Sequence, residues 1–458
     1  TFSEPVFREM FPEMEIRQCG DMQEPMELLE LPGISLDYFL RGLAGEAYQD
    51  NAVFQELYSW YLQSPEYRIL VKKLTEASFS ERPSDKIGKT VATILYGESS
   101  PYSATRLERF AACAFAHFLQ YGLKVTERAE YEFRAMDMGN VMHMALEKFA
   151  AEVRKEGLDW AELTEEERNR IIDSCLDQVS ADYGNTILKS SARNEYMIER
   201  TRRILRRTVW ALQEQLKHGA FRPEGFEVRF QGGRIDRVDI MEEPENNRVY
   251  VKVIDYKTGN TSFDLLALYH GLQLQLMVYL DGALQVEKRK YPDREIVPAG
   301  VFYYNVKDPM IQEKIHADME SINEQMLKKM KMNGLVQADD NMSTKIDSTM
   351  ASIPVSLNRD GSFSKRSSVA SRKQFDALGA YVRRKICDIR ESILDGNAAV
   401  EPYELGKKNA CTYCPYLTVC GFDRKIPGYE FHRLSSIEED ALWKKIMKGE
   451  EENGSEMD

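Results

Sequence analysis

The stretch GGRIDRVDIMEEPENNRVYVKVIDYKTG, running from Gly232 to Gly259, constrains this chain more than any other. Arg234 to Ile240 alternates around the apolar members Ile235, Val238 and Ile240, and Val249 to Tyr256 is a second β-rich run. Between them Glu242 to Asn247 holds a proline and two asparagines, the composition of a polar turn. The pattern predicts two strands and a turn, with Asp236 and Asp255 at corresponding places on the strands. Lys257 follows two residues after Asp255, so period-two alternation puts both side chains on one face. Two carboxylates and an ammonium converging on one spot suit a divalent cation with a phosphate bound to it. Hard oxygen ligands hold Mg²⁺ or Mn²⁺, while the lysine faces the charge that develops in phosphoryl chemistry.

A solvated hairpin can carry the same charges, so the flanking residues have to decide. The segment GNVMHMALEKFAAEV, residues 139–153, predicts an amphipathic helix with Met142, Leu146, Phe149 and Val153 along one stripe and His143 at its edge. A helix is predicted from about Asp264 to Val286, and a spacing of four puts Gln275 and Tyr279 on one face of it. Taken together, Gly139-x-x-x-His143, GRIDRVD, VIDYKTG and Gln275-x-x-x-Tyr279 resemble the PD-(D/E)XK nuclease superfamily in its RecB-like branch. The resemblance implies an α/β fold with a restriction-endonuclease-like mixed sheet and large helical additions. It also implies a metal site made by His143, Asp236, Asp255 and the backbone carbonyl of Tyr256. Lys257 then orients a water or stabilises charge, and Gln275 and Tyr279 place the DNA strand. Glu227, on a strand predicted over Gly225–Phe230, is either a further site carboxylate or an ordinary exposed strand charge. A strand over Ile296–Val306 completes the predicted core.

At 458 residues the chain has room for two or three domains. It begins with Thr1, which reads as a processed chain or a fragment of a longer one. It has no run of 18 apolar residues and no signal-peptide pattern, so a soluble, cytoplasmic chain without membrane contact is expected. Seven thinly spread cysteines argue against a secreted disulfide framework. A net charge of −13 does not exclude DNA, because a nucleic acid meets a local patch rather than the sum.

Residues 1–100 read as mostly helical, with amphipathic runs at Ser35–Leu43 and Phe54–Leu62. Gly88-Lys89-Thr90 looks like the end of a phosphate-binding loop, but the glycine required five residues earlier is Pro83, so no nucleotide binding by this chain is expected. Ser103 is a plausible N-cap for a helix through Glu108 to Ala112. Residues 160–218 are predicted helical throughout. On that stretch Arg200, Arg203 and Arg207, with Arg202 and Arg206 beside them, form either a solvated face balanced by nearby glutamates or a DNA-backbone contact. Another charged helix is predicted over 307–333, a loop over Gln337–Ser368, a helix over Arg372–Asn397, and a disordered acidic tail from Gly449.

Cys411, Cys414 and Cys420 give C-x2-C-x5-C, three thiolates from one tight turn. Zinc would need a fourth ligand, for which His432 is the nearest histidine. A [4Fe–4S] cluster would need a fourth cysteine, and Cys113, among Phe110, Phe115, Phe118 and Tyr121, is the candidate. Spacing does not choose between the metals. SATRLERFAACAF and CTYCPYLTVC resemble the corresponding segments of AddB-type subunits of AddAB helicase–nucleases, although Ala114 stands where that family usually has proline. With the nuclease motifs, this resemblance covers roughly residues 100 to 425. It implies one [4Fe–4S] cluster on Cys113, Cys411, Cys414 and Cys420, and a heterodimer with an AddA-type helicase–nuclease partner. It further implies exonucleolytic, Mg²⁺-dependent cleavage of single-stranded DNA in double-strand break processing. Residues 1–100 would then end a degenerate helicase-like region, 101–425 form the clipped nuclease domain, and 426–458 a partly disordered extension. A catalytically silent, iron–sulfur-stabilised DNA-binding scaffold and a zinc-bound interaction module are the rival readings.

Overall fold

The computed structural model describes residues 32–43, 52–78, 86–97, 102–128, 135–183, 191–311, 318–426 and 428–454. The chain divides into two compact units, Thr1–Ser84 and Asp85–Asp458. In the first, helices α1 (Pro32–Leu43), α2 (Ala52–Gln63) and α3 (Arg68–Ser78) bury Phe39, Phe54, Tyr61 and Val71 together. The Tyr61 hydroxyl donates to the Pro32 carbonyl at 2.6 Å, so this polar tip in that core is satisfied.

The second unit opens with α4 (Lys89–Tyr96), α5 (Ala104–Ala112), α6 (Ala135–Lys155), α7 (Glu165–Asp182) and α8 (Ala192–Lys217). Capping residues set where these helices begin. Ser103 accepts the Arg106 N–H at the start of α5, and Thr164 and Glu167 form a reciprocal capping box at the start of α7. Next come β1 (Arg222–Phe230), β2 (Gly233–Glu243), β3 (Arg248–Lys257), α9 (Leu265–Tyr269), α10 (Gln275–Lys290) and β4 (Glu295–Asn305). The unit ends with α11 (Met319–Lys329), β5 (Asn333–Gln337), β6 (Val369–Ala370), α12 (Arg372–Leu394) and α13 (Glu439–Gly454).

Strands β1 to β6 form one sheet in chain order, and Tyr403–Leu405, Lys408–Asn409 and His432–Arg433 form a second, small one. Pairs β1–β2, β2–β3 and β4–β5 are antiparallel, whereas β3–β4 and β5–β6 are parallel. A parallel neighbour needs a crossover, and α9 and α10 supply it between β3 and β4. Alternation along β3 then serves two cores. Tyr250, Ile254 and Tyr256 pack with Phe149, Leu176 and Leu212 of α6, α7 and α8. Val249, Val251 and Val253 pack with Leu107 of α5, Leu280 of α10, Leu378 of α12 and Trp443 of α13. The result is an α/β unit whose mixed sheet is covered on both faces.

Several predicted elements differ from those observed. The helix expected over Asp264–Val286 is two helices, because Gly271, at φ +80°, breaks the run before α10 restarts at Gln275. The stretch 160–218 likewise is broken, holding a 3₁₀ turn over Trp160–Glu162 and the helices α7 and α8 among its described residues, with 184–190 outside them. Of the helix expected over 307–333 only Met319–Lys329 is helical among the described residues, and Asn333 already belongs to β5. Strands β5 and β6 enlarge the expected core, while Gln337–Ser368 is largely irregular apart from one helix over Met342–Ile346. The tail expected to be disordered from Gly449 continues as helix to Gly454, anchored upstream by the buried Leu442, Trp443 and Ile446. Residues 455–458 and Pro83 lie outside the described residues. Lys89, in the segment that imitates a phosphate loop, pairs with Asp395 at 2.9 Å.

Candidate active site

The β2–β3 ladder runs from Glu243↔Arg248 to Arg237↔Ile254, and Asp236 and Asp255 stand one residue past that last pair. Asp236 Oδ2 accepts the Tyr256 backbone N–H at 2.7 Å and lies 3.4 Å from His143 Nδ1. Tyr256 therefore enters the site through its backbone, while its buried ring lies edge-on to the rings of both His143 and Tyr304. Lys257 Nζ lies 2.6 Å from Asp255 Oδ2, as expected for i, i+2 neighbours on one strand face. The ammonium also donates to Gln275 Oε1 at 2.7 Å, and Gln275 Nε2 donates to the Tyr279 hydroxyl at 2.8 Å. His143, Asp236, Asp255, Tyr256, Lys257, Gln275 and Tyr279 thus border one cleft.

His143 reaches the cleft because α6 passes close to the end of β3. A Cβ on Gly139 would come within 3.2 Å of Thr258 Oγ1, so the glycine one turn before the histidine permits the approach. Burial opposes the charged imidazolium, but the hydrogen bond and charge of Asp236, with the charges of Asp255 and Glu227, raise its pKa above the ordinary value.

Glu227 belongs to the site as well. Its carboxylate, His143 and Asp236 offer ligand atoms within 4.8 Å of one another. The residue adopts φ +50°, uncommon for anything but glycine, and its side chain is ion-paired with Arg234. Alternation alone could not separate this acid from an exposed strand charge. The available signal was its place on β1 opposite the first acid of β2.

Burial, then repulsion from Asp236, raises Glu227 to about 7. Burial and the Asp236 charge likewise raise Asp255 to about 6, with Lys257 opposing. His143, Glu227 and Asp236 form a donor set that a divalent cation completes, and Asp255, paired with Lys257, borders the same cleft without belonging to that close group. The residues present fit Mg²⁺ or Mn²⁺.

Four of the α8 arginines are engaged with acids, and no such pair is seen for Arg200 among the described residues. Arg202 reaches Asp177 at 2.7 Å, Arg206 Nε reaches Asp173 at 2.9 Å, and Arg203 and Arg207 both meet Asp308.

Cys113, Cys411, Cys414 and Cys420 line one small cavity with apolar neighbours including Phe115, Val400 and Tyr416. All four are free thiols. Burial raises the Cys411 thiol to about 11, and the other three sulfurs act in the same direction. Burial also raises Cys113, against hydrogen bonds from the Ala116 and Phe115 N–H groups. Four sulfurs lining one apolar cavity suit a metal centre that supplies the positive charge thiolates need. His432 is not among the residues lining this cavity. Cys175 is buried in the core of the other sheet face, and Cys387 is exposed.

Residues 101–421 match the model of the PD-(D/E)XK nuclease superfamily. The chain is also similar to proteins that are each named as the B subunit of an ATP-dependent helicase/deoxyribonuclease. That of Lachnoclostridium phytofermentans is 38% identical across 96% of this chain and 40% of the relative. The Alkaliphilus metalliredigens protein is 33% identical across 96% and 41%, and the Clostridium acetobutylicum protein 32% identical across 91% and 38%. The chain therefore spans about 40% of the length of these relatives. No helix among the described residues is long and apolar enough to cross a membrane.

Proposed function

Because this chain belongs to the PD-(D/E)XK nuclease superfamily, we propose that it is the nuclease-bearing part of an AddB-type helicase–deoxyribonuclease protein, working with an AddA-type partner in double-strand break processing. Its substrate is single-stranded DNA, whose phosphodiester bonds it hydrolyses exonucleolytically. The observation that carries this reading is the convergence of His143, Glu227, Asp236, Asp255 and Lys257 on one cleft at the end of β2 and β3.

His143, Asp236 and Asp255, with Glu227 beside them and the Tyr256 carbonyl, would hold Mg²⁺ or Mn²⁺. When bound, the cation supplies Lewis-acid polarisation of a phosphate oxygen and acidifies water. Lys257 is held between Asp255 and Gln275, so its ammonium is already aimed into the cleft before substrate arrives. There it faces the negative charge that grows on phosphorus as water attacks and the leaving oxygen departs. Gln275 and Tyr279, linked to each other, form the wall against which the strand rests. Cys113, Cys411, Cys414 and Cys420 would hold one [4Fe–4S] cluster whose contribution is structural.

The test is cleavage of single-stranded DNA by the complete helicase–nuclease complex, with Asp236→Ala, Asp255→Ala and Lys257→Ala in this chain. Each substitution should lower the rate at this site by at least about a thousandfold while the protein stays folded. Near-normal cleavage in Mg²⁺ by any of the three would overturn the assignment and favour the silent scaffold.

A further inference from the structure

Helix α10 begins without a cap of its own. Leu274 occupies the N-cap position and its side chain makes no capping bond, so the first N–H groups need acceptors from elsewhere. Glu108, more than 160 residues earlier on α5, supplies one. Its Oε1 accepts the Leu274 N–H at 2.6 Å and the Gln275 N–H at 2.9 Å. A carboxylate there also meets the positive end of the helix dipole. Gln275 is the first residue of α10 and the residue whose amide oxygen receives the Lys257 ammonium.

We propose that Glu108 is a positioning residue for the catalytic lysine: by fixing the first turn of α10 it fixes the Gln275 amide, and through it the direction of Lys257. This rests on the reading of Lys257 given above. The Lys257 ammonium has two anchors of opposite consequence. Asp255 draws it towards a carboxylate of the metal site, whereas Gln275 draws it across the cleft at similar length. If the first turn of α10 were released, Gln275 would swing with it and the balance would be lost. An ordinary helix cap would matter only for stability. This cap also sets a side chain that touches the reacting group. Burial raises Glu108 to about 7, against the two N–H bonds and the Lys257 charge. The same helix ends at Cys113, its C-cap, so the sulfur cavity and the lysine are joined through one short rigid element.

The experiment uses the complete complex and follows the cleavage that Asp255→Ala abolishes. It also follows acylation of Lys257 by an amine-reactive reagent, read by mass spectrometry without turnover. Glu108→Ala should lower kcat about tenfold with KM for DNA within about twofold, and should speed Lys257 labelling about threefold. Glu108→Gln keeps an oxygen that accepts both N–H groups and should restore both quantities. Iron content separates these effects from damage to the cysteine site. If Glu108→Ala does not fold, Glu108→Asp, whose oxygen is drawn back by one methylene, should show the same two changes at smaller size. Unchanged kcat and labelling in the folded Ala or Asp variant overturns the proposal, and so does a Gln variant as impaired as Ala. Cleavage surviving Asp255→Ala sinks the site assignment instead, whatever Glu108 does.

Discussion

Asp239 has no access to water and sits between two buried cations. Arg237 grips it with Nε at 2.6 Å and Nη2 at 3.0 Å, and Lys252 Nζ lies 3.0 Å away. Burial alone would raise this carboxyl, but the two cations outweigh it and hold its pKa below the ordinary value. Removing the acid leaves both cations uncompensated, so Asp239→Asn should cost about 3–5 kcal/mol in urea unfolding at neutral pH. The sign with pH follows from the depressed value. The unfolded chain takes up the proton first, so the stabilisation is complete above about pH 4 and is lost as pH falls through the lower folded value. The stability gap between wild type and Asp239→Asn should therefore stay level above about pH 5 and narrow below about pH 4; a gap that widens on acidification would refute the sign. Glu227 yields a second prediction. If it shares the cation, Glu227→Ala should raise the Mn²⁺ concentration for half-maximal binding by about tenfold, measured calorimetrically without DNA. An unchanged binding curve would return Glu227 to an ion-pair partner of Arg234. The meeting of Asp236, Asp255 and Lys257 was legible in the sequence, from strand alternation for the last two and from the hairpin pairing for the first. Glu227 stayed an open alternative there, and Glu108 did not stand out at all. One depends on a left-handed backbone turn and the other on a contact across more than 160 residues, and neither leaves a local pattern.

At the scale of elements, long runs with a clear period were readable and short ones were not. The hairpin of β2 and β3 has alternating residues on both sides of a proline-containing turn, so its existence followed from pattern. Strand β5 is five residues, NGLVQ, and β6 only two, and they acquire their identity from tertiary neighbours. Gly334 shows how close those neighbours are. A Cβ there would lie 2.8 Å from the Phe302 Cα and would overlap the Val301 carbonyl oxygen. Backbone cannot step aside as a flexible side chain can, so β5 pairs with β4 only while this position has no side chain. Gly334→Ala should destabilise the unit by about 1–3 kcal/mol or more, read as a lower urea midpoint at unchanged slope. A midpoint equal to wild type would mean that β5 is not held as described. The break between α9 and α10 follows the same logic. Apolar periodicity runs on through it, and only Gly271 at φ +80° and the remote acceptor Glu108 show where the helix stops and restarts.

At the scale of the whole unit, the ends of the matched nuclease region come back to one place. Cys113 follows α5, while Cys411, Cys414 and Cys420 come after α12, yet all four border one cavity. The neighbouring aromatic contacts tie the same two regions together. The Tyr416 hydroxyl donates to the Val125 carbonyl at 2.9 Å, and Tyr416 packs with Ala116 and Leu119. A metal centre on these four sulfurs would link the chain across about 300 residues and constrain its unfolded state, but loop-closure entropy grows only logarithmically. Its worth would be on the order of 5–6 kcal/mol in the chain model. That is a large share of the roughly 5–15 kcal/mol typical of a domain. Loss of the fourth ligand should thus be felt well beyond the cysteine loop. Cys113→Ala in the complete complex should lose iron, sulfide and the visible absorption band, and lower the thermal midpoint together with DNA binding and cleavage. The comparison variants are chosen by burial. Cys387→Ala alters an exposed thiol, and Cys175→Ala a thiol packed in the opposite core, so both should keep the full complement of iron. Equal iron in Cys113→Ala and the two comparison variants would reduce Cys113 to a packing residue. A colourless wild-type protein holding zinc would show that the same four sulfurs serve a different metal.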